Sequence, residues 1–257
     1  MESNCLLLLR DDILNQTNPD KKLQPWLLCI QNGTSTGITP IFSSADWNII
    51  PTIQSRAGAP DPTYGFTVVP LTEWNFELQK PYDVPLEEHY SYENGVRKLW
   101  VYADDKPHDP NSLTQPRTEV RIRGLDYSSG VWQFEGYGFV PNGTSGVTVS
   151  QIHGAAQAAT TLILRIYNGD MRYYSADLIA TGMYDRWFRL NVIHDVDGKV
   201  TVFIDGVQKF QVKDKGPGDL YFKCGVYAAP VISATTWNQG GETSRFTKSN
   251  GEGLRSL

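Results

Sequence analysis

The sequence predicts an all-β fold, a sandwich or jelly roll built from short antiparallel strands. Apolar and polar residues alternate in many short segments, as they do in strands that have one buried face. Turn-forming residues separate these segments, with 23 glycines and 15 prolines in 257 residues. Aromatic residues, which favour strands, make up 12% of the chain.

Two Asp-Gly pairs mark the clearest strand boundaries. Asp197-Gly198 and Asp205-Gly206 enclose the alternating segment VTVFI, and Asp-Gly beside alternating segments is a strong hairpin signal. We therefore predict consecutive antiparallel strands at 187–194, 199–205 and 207–212. Alternation predicts further strands at 98–104, 117–123, 131–140, 147–153, 161–168 and 219–227.

We predict one compact domain at 58–235, with a segment of different character at each end. Residues 1–57 carry short apolar runs without a clear period, so we treat them as an N-terminal extension with no assigned structure. Residues 236–257 are polar and contain several glycines, which is typical of a flexible tail.

Composition restricts the classes of function. A net charge of −5 and a pI of about 5.4 argue against a general nucleic-acid-binding protein. No apolar run reaches the roughly 18 residues of a membrane-spanning helix, so we expect no membrane span. The N-terminus has four leucines with acidic residues on either side and no basic segment, which makes a poor secretory signal. The three cysteines of the whole chain are too widely spaced for a disulfide framework or a zinc site.

The segment RTEVRIR at 117–123 predicts a strand with one charged face. Successive side chains of a strand point to opposite faces. One face therefore carries Arg117, Glu119, Arg121 and Arg123, and the other carries Thr118, Val120 and Ile122. A charged strand face is in most proteins simply solvated, so this strand alone does not assign a function.

Two further predicted strands also pair an apolar side with a polar side. In 147–153, Gln151 and His153 share a face. In 219–227, one face carries Tyr221, Lys223, Gly225 and Tyr227, and the other carries Phe222, Cys224 and Val226. If the apolar sides line one core, the polar sides of all three strands form one surface.

Such a surface suits a ligand with planar carboxylates. Arginine binds a carboxylate through two parallel hydrogen bonds, and histidine and tyrosine can transfer protons. A uronic-acid polysaccharide fits this chemistry, because neutralising its C6 carboxylate acidifies the C5 proton. A base removes that proton and an acid protonates the departing O4, a β-elimination that needs no metal ion or other cofactor. Glu119, kept ionised by neighbouring cations, is expected to hold the arginines rather than to act as the base.

Three segments resemble a known family. RTEVR (117–121), QIH (151–153) and YFKCGVY (221–227) resemble, in order and spacing, the three signature blocks of polysaccharide lyase family 7, the alginate lyase 2 group. The resemblance covers about residues 60–229. It implies a β-jelly roll of two antiparallel sheets with a substrate groove across one sheet.

The resemblance also implies roles for individual residues. Arg117 and Gln151 would bind the carboxylate, and His153 and Tyr227 would perform the proton transfers. We expect a second set of residues to bind substrate beside these four, namely Glu119, Arg121, Arg123, Tyr221 and Lys223. The family usually carries a polar pair after the last tyrosine, where this chain has Ala228-Ala229.

Three hypotheses about function remain open, and two of them lead. The segments 61–85, 99–107 and 128–138 are similar to the plant citrate-binding-protein branch of that family, whose members often lack the histidine of the middle block. Because this chain keeps His153, we favour a polysaccharide lyase that cleaves alginate or glucuronan by metal-independent β-elimination. The alternative is a non-catalytic protein that binds citrate or an oligouronate through the same groove, and a third possibility is a structural wall or storage protein.

Both leading hypotheses predict the same kind of partner. We expect a monomer that binds an anionic polysaccharide or a small polycarboxylate and no nucleic acid. The resemblance implies an extracellular or vacuolar location.

Overall fold

The fold consists almost entirely of antiparallel strands. The computed structural model describes residues 5–10, 27–31, 60–93, 96–102 and 104–230. Within these ranges, two 3₁₀ helices lie at Glu73–Asn75 and Leu86–Glu88. The strands of the same ranges are β1 (Cys5–Arg10), β2 (Leu27–Gln31), β3 (Phe66–Pro70), β4 (Phe76–Gln79), β5 (Tyr90–Glu93), β6 (Val96–Val101), β7 (Arg117–Ile122), β8 (Val131–Phe139), β9 (Val147–Ala155), β10 (Thr160–Tyr167), β11 (Asp170–Tyr173), β12 (Asp177–Ala180), β13 (Trp187–Asp195), β14 (Lys199–Ile204), β15 (Val207–Lys213) and β16 (Gly218–Ala228).

The strands form two sheets. The nine-stranded sheet has the order β15-β14-β13-β8-β1-β6-β5, with β2 pairing to β8 and β3. The seven-stranded sheet has the order β12-β11-β10-β9-β16-β7-β4. The predicted all-β jelly roll of two antiparallel sheets is confirmed. No helix in the described ranges is long and apolar enough to cross a membrane.

The structure confirms the strands that alternation predicted, and it adds shorter ones. The strand expected at 98–104 begins and ends earlier, at Val96–Val101. The structure adds β3, β4, β5, β11 and β12, which have four or five residues each. In strands this short, a period of two is repeated too few times to be recognised in a sequence.

Two strands come from the segment that we left without an assigned structure. β1 pairs with β6 and β8, and β2 pairs with β3 and β8, so both belong to the nine-stranded sheet. The remainder of the predicted extension 1–57, apart from these two strands, lies outside the described residues. The predicted tail 236–257 lies outside them as well.

The core lies between the two sheets. Alternate residues of β7, β9 and β16 enter it, among them Val120, Ile152 and Phe222. The ring of Phe222 stacks on that of Phe134 from the opposite sheet, with 5.8 Å between centroids. Each such buried side chain stabilises the fold by about 1.5–3 kcal/mol relative to an exposed one, and its burial fixes which face of each strand points outward.

β16 brings together the three segments that carry the predicted site. It lies between β7 and β9 in the seven-stranded sheet. Lys223 is paired with Arg121 on β7 and with Gln151 on β9. This register places residues that are 102 and 72 positions apart in the sequence directly beside one another.

Gly225 allows β16 to approach β7 closely. Its φ is +136°, a conformation that residues with a side chain rarely adopt. A Cβ atom at this position would lie 2.7 Å from the Cα atom of Glu119 and 2.7 Å from the carbonyl oxygen of Thr118. Both of these atoms belong to the backbone, so they cannot move away without distorting β7.

We expect Gly225→Ala to lower the free energy of unfolding by more than a change of backbone conformation alone would. Gly143→Ala is the matched control, because Gly143 has a φ of +89° and nothing within 4 Å of the added carbon. The control substitution should lower the free energy of unfolding by about 1 kcal/mol. Gly225→Ala should lower it by about 2 kcal/mol more, because the added carbon overpacks the contact with β7. Urea denaturation measures both values, and equal losses would contradict the close approach of β7 and β16.

Candidate functional site

The outward side of the seven-stranded sheet carries most of the predicted site. The core residues of β7, β9 and β16 alternate with polar residues that point away from the core. We call this surface the polar face and define it by Arg117, Glu119, Arg121, Gln151, His153, Tyr221, Lys223 and Tyr227.

A buried carboxylate organises the polar face. Glu119 has no exposed surface. Lys223 Nζ lies 2.6 Å from its Oε2 atom, and Gln151 Nε2 donates to its Oε1 atom at 2.5 Å. Arg117 Nη1 is 3.5 Å from Oε2. The sequence analysis placed Glu119 among the ligand-binding residues and expected it to hold the arginines. In the structure it is fully buried and contacts one arginine, Arg117, together with Lys223 and Gln151.

Lys223 is also part of the interior of this cluster. It is 2% exposed and donates a second hydrogen bond to Oε1 of Gln79 on β4, at 2.8 Å. Burial lowers the pKa of Lys223, and the neighbouring charge of Glu119 opposes that effect. The sequence analysis missed Gln79, because the four residues of β4 carry too little alternation to be identified.

Cations stack on both tyrosines of β16. The guanidinium carbon of Arg117 lies 4.0 Å from the ring centroid of Tyr227, and that of Arg121 lies 4.0 Å from the ring centroid of Tyr221. The ring of Tyr221 also stacks on His153, with 5.1 Å between centroids and 24° between ring planes. Such contacts fix the orientation of the rings, so each predicted proton-transfer group has a neighbour that restrains it.

Two of the predicted arginines do not join the cluster around Glu119. Arg121 forms ion pairs with Asp126 and, at 3.6 Å, with Glu77. Arg123 follows the end of β7, where its Nε atom donates to the carbonyl oxygen of Trp74 at 2.6 Å and its guanidinium carbon lies 4.8 Å from that indole ring. Of the predicted arginines, Arg117 is therefore the one beside Glu119 and Tyr227.

His153 has the properties of a proton acceptor. It is half-buried, and burial lowers its pKa below the usual value of 6.5. The charge of Lys223 lowers it further, as do those of Arg117 and Arg121, while Glu119 acts in the opposite direction. A histidine with a lowered pKa is neutral at pH 7, and a neutral imidazole can accept a proton from a substrate.

A second histidine near this cluster was missed in the sequence. His108 lies in the connection between β6 and β7. Burial lowers its pKa, and the charges of Arg117 and Lys223 lower it further. Its Nδ1 atom is buried and has no hydrogen-bond partner among the described residues. Because His108 belongs to no strand, no periodic pattern could place it near the polar face.

The described part of the chain contains no group of three or more His, Cys, Asp or Glu side chains arranged to hold a metal ion. The cations of this surface are Lys and Arg side chains. Ala228 and Ala229, which follow Tyr227, bond through their backbone amides to the carbonyl oxygens of Pro116 and Gly146.

Comparison with known proteins identifies the family. The family model for alginate lyase matches residues 69–250, well over half of the chain. The chain belongs to the alginate lyase family. The predicted resemblance to this group is confirmed, and so is the expected similarity to its citrate-binding branch. A citrate-binding protein of Hevea brasiliensis is 58% identical over 191 residues, which are 74% of this chain and 80% of that protein.

Solved structures of alginate lyases are also similar to this chain. An alginate lyase of polysaccharide lyase family 7 is 17% identical with a TM-score of 0.45, over 60% of this chain and 82% of that one. An alginate lyase from Corynebacterium sp. is 16% identical with a TM-score of 0.42, over 82% of this chain and 85% of that one.

In this member of the alginate lyase family, Glu119→Gln should destabilise the fold strongly. The substitution keeps the shape of the side chain but leaves Lys223 as a buried charge without a counter-ion, which costs about 3–5 kcal/mol. Glu77→Gln is the control, since Glu77 is 40% exposed and its pairing with Arg121 is loose; it should change stability by less than about 0.5 kcal/mol.

The double variant Glu119→Gln/Lys223→Met should recover part of that loss, because it removes the unpaired charge. Chemical denaturation of all three variants measures these differences. Equal stability of Glu119→Gln and Glu77→Gln would contradict the role assigned to Glu119.

The stability of this alginate lyase family member should decrease as the pH falls below about 6.5. His108, His153 and His194 all have lowered pKa values in the folded state, with burial as the largest cause. The unfolded chain therefore binds protons at these sites more readily, so acid favours unfolding. Urea denaturation between about pH 7.5 and 5.5 would show this decrease. His153→Gln should make it shallower, and a free energy of unfolding that is constant over this range would contradict the expectation.

Proposed function

We propose that this protein is a polysaccharide lyase that cleaves a uronate polymer, of alginate or glucuronan type, by β-elimination. The observation that carries the proposal is the position of His153 and Tyr227. Both lie beside a cluster of cations and amides that can bind a carboxylate. The family assignment supports the same reaction.

Arg117 and Gln151 would bind the C6 carboxylate of the sugar. The guanidinium group of Arg117 is held by Thr114 Oγ1 and by Glu119, and the amide of Gln151 is held in a fixed orientation by Glu119. A cation at the carboxylate stabilises the negative charge that develops when the C5 proton is removed. The Glu119 ion pairs keep these groups in place before the substrate arrives, so no reorganisation is needed during the reaction.

The elimination then requires one base and one acid. The base takes the C5 proton, and the electron pair of the C5–H bond forms the C4–C5 double bond. The C4–O4 bond breaks, and the acid gives its proton to O4. We assign these two roles to His153 and Tyr227, and the configuration of the sugar at C5 decides which group acts as the base. Every step uses groups of the protein and the substrate, with no metal ion.

A second function is favoured by a specific observation. The Hevea brasiliensis relative is named a citrate-binding protein, and a binding protein needs only the cations of the polar face. The same residues could hold citrate or a short oligouronate without cleaving it. For either function we propose a monomer located outside the cell or in the vacuole, which rests on the family resemblance.

Formation of the unsaturated uronate product distinguishes the two functions. We expect the ultraviolet absorbance of that product to rise with polymannuronate, polyguluronate or glucuronan. His153→Ala and Tyr227→Phe should each lower turnover by at least about 10²-fold, the usual effect of removing a general acid or base. Tyr82→Phe is the control, since Tyr82 is exposed and lies outside the polar face.

A folded protein that gives no product with any of the polymers would contradict the lyase. Titration calorimetry with citrate would then test the second function. Saturable binding that Arg117→Ala weakens would support it.

A further inference from the structure

Arg165 occupies a position on the polar side of the seven-stranded sheet that the family blocks do not include. Arg117 on β7 is paired with Tyr227 on β16, Tyr227 with Thr148 on β9, and Thr148 with Arg165 on β10. These four residues form one line across the strands. Arg117 lies at one end of the line and Arg165 at the other, with Tyr227 between them.

Arg165 is a buried cation without a counter-ion among the described residues. It is 8% exposed. Its Nε atom donates to Thr148 Oγ1 at 3.3 Å, and its guanidinium carbon lies 5.9 Å from the ring of Tyr174. No described acidic residue forms an ion pair with it, and Thr148 Oγ1 is the side-chain acceptor that the described residues offer its guanidinium group. A buried charge is costly without a partner, so this site fits an anion supplied by a ligand.

The neighbouring arginine, Arg172, differs from Arg165 because it has an acidic partner. Arg172 on β11 is its direct cross-strand partner. Arg172 donates to Asp170 Oδ2 at 3.0 Å and to the carbonyl oxygen of Ala176 at 3.0 Å. Its charge is neutralised by Asp170, whereas no acidic residue in the described ranges neutralises that of Arg165.

A second cation, Lys215, contacts the same tyrosine as Arg165. Lys215 Nζ lies 4.4 Å from the ring centroid of Tyr174 and donates to its hydroxyl oxygen at 2.8 Å. Lys215 forms no ion pair with an acidic residue in the described part of the chain. Arg165, Tyr174 and Lys215 therefore form a positively charged patch with an aromatic ring at its centre.

The distance between Arg117 and Arg165 restricts the ligand. Three strand spacings separate their backbones, which is about 14 Å. The carboxylates of citrate are joined by only a few bonds, so one citrate covers a short part of this line. A uronate polymer carries a carboxylate on every sugar and can contact both when it lies across the strands.

We propose that Arg165 binds a second carboxylate of an oligouronate that extends across the strands from Arg117 to β10. The ligand class is then a chain of several uronate sugars rather than a single small polycarboxylate. This inference rests on the proposed function, because it requires that the polar face binds carboxylates. It adds a site on the opposite side of Tyr227 from Arg117.

Binding as a function of ligand length tests the proposal. Titration calorimetry would compare citrate, a uronate disaccharide and the hexasaccharides of mannuronate and guluronate, with every variant in a His153→Ala background so that no cleavage occurs. Arg165→Gln should weaken binding of a hexasaccharide about tenfold, the effect of one charge-assisted contact. It should change binding of citrate and of the disaccharide by less than about twofold.

Two further variants serve as controls. Arg172→Gln should leave hexasaccharide binding unchanged, because Arg172 is already paired with Asp170. Arg165→Lys should keep part of the affinity, since it retains the charge but not the planar pair of donors. Arg165→Gln should unfold at the same temperature as the parent protein or at a higher one, because it removes a buried unpaired charge.

The outcomes separate this inference from the proposed function. Unchanged hexasaccharide binding in Arg165→Gln, or an equal loss for every ligand, would overturn the role of Arg165 alone. Hexasaccharide binding that depends on Arg165, together with no unsaturated product from the protein that retains His153, would support Arg165 and overturn the lyase. Failure of any uronate to bind the unsubstituted protein would overturn both.

Discussion

The buried carboxylate of Glu119 is the constraint on which the polar face depends. It is enclosed by Lys223, Gln151 and Arg117, which come from three adjacent strands. In a medium of low dielectric constant, these attractions are much stronger than they would be in water. The negative charge permits Lys223 to be buried, and it fixes the direction of the Gln151 amide. The cation-rich surface above it is therefore stable only because an anion lies beneath it.

This arrangement explains how one surface could serve either binding or catalysis. Holding a carboxylate requires the cations and the amide that Glu119 keeps in place. Elimination requires, in addition, a neutral base and an acid that contact the sugar from positions fixed in advance. His153 is kept neutral by burial and by nearby cations, and Tyr227 is restrained by Arg117. Members of one family can thus differ in reaction while they share the groups that bind the ligand.

Particular elements show how far the sequence could predict the fold and the site. In β7, β9 and β16, alternation is long enough to identify both faces, and the polar residues assigned to each face are where the structure places them. Arg123 fits the same alternation, but β7 ends at Ile122 and its side chain contacts Trp74 instead. Gln79 on the short β4 and His108 in a connection between strands follow no period, so only the folded chain reveals them. The strands β1 and β2 were missed for a similar reason, because the segment around them has no regular pattern.

The sequence by itself determined which residues of a strand point to the same face and which to the other face. The direction of successive side chains is a local property of an extended backbone. It also determined the family, since three blocks in the right order are preserved in the chain. Only the tertiary structure decided that β16 lies between β7 and β9, that Glu119 is buried, and that Arg165 has no acidic partner in the described part of the chain. Strand order and burial arise from hydrogen bonds and packing between segments that are far apart in the sequence. No local pattern contains that information.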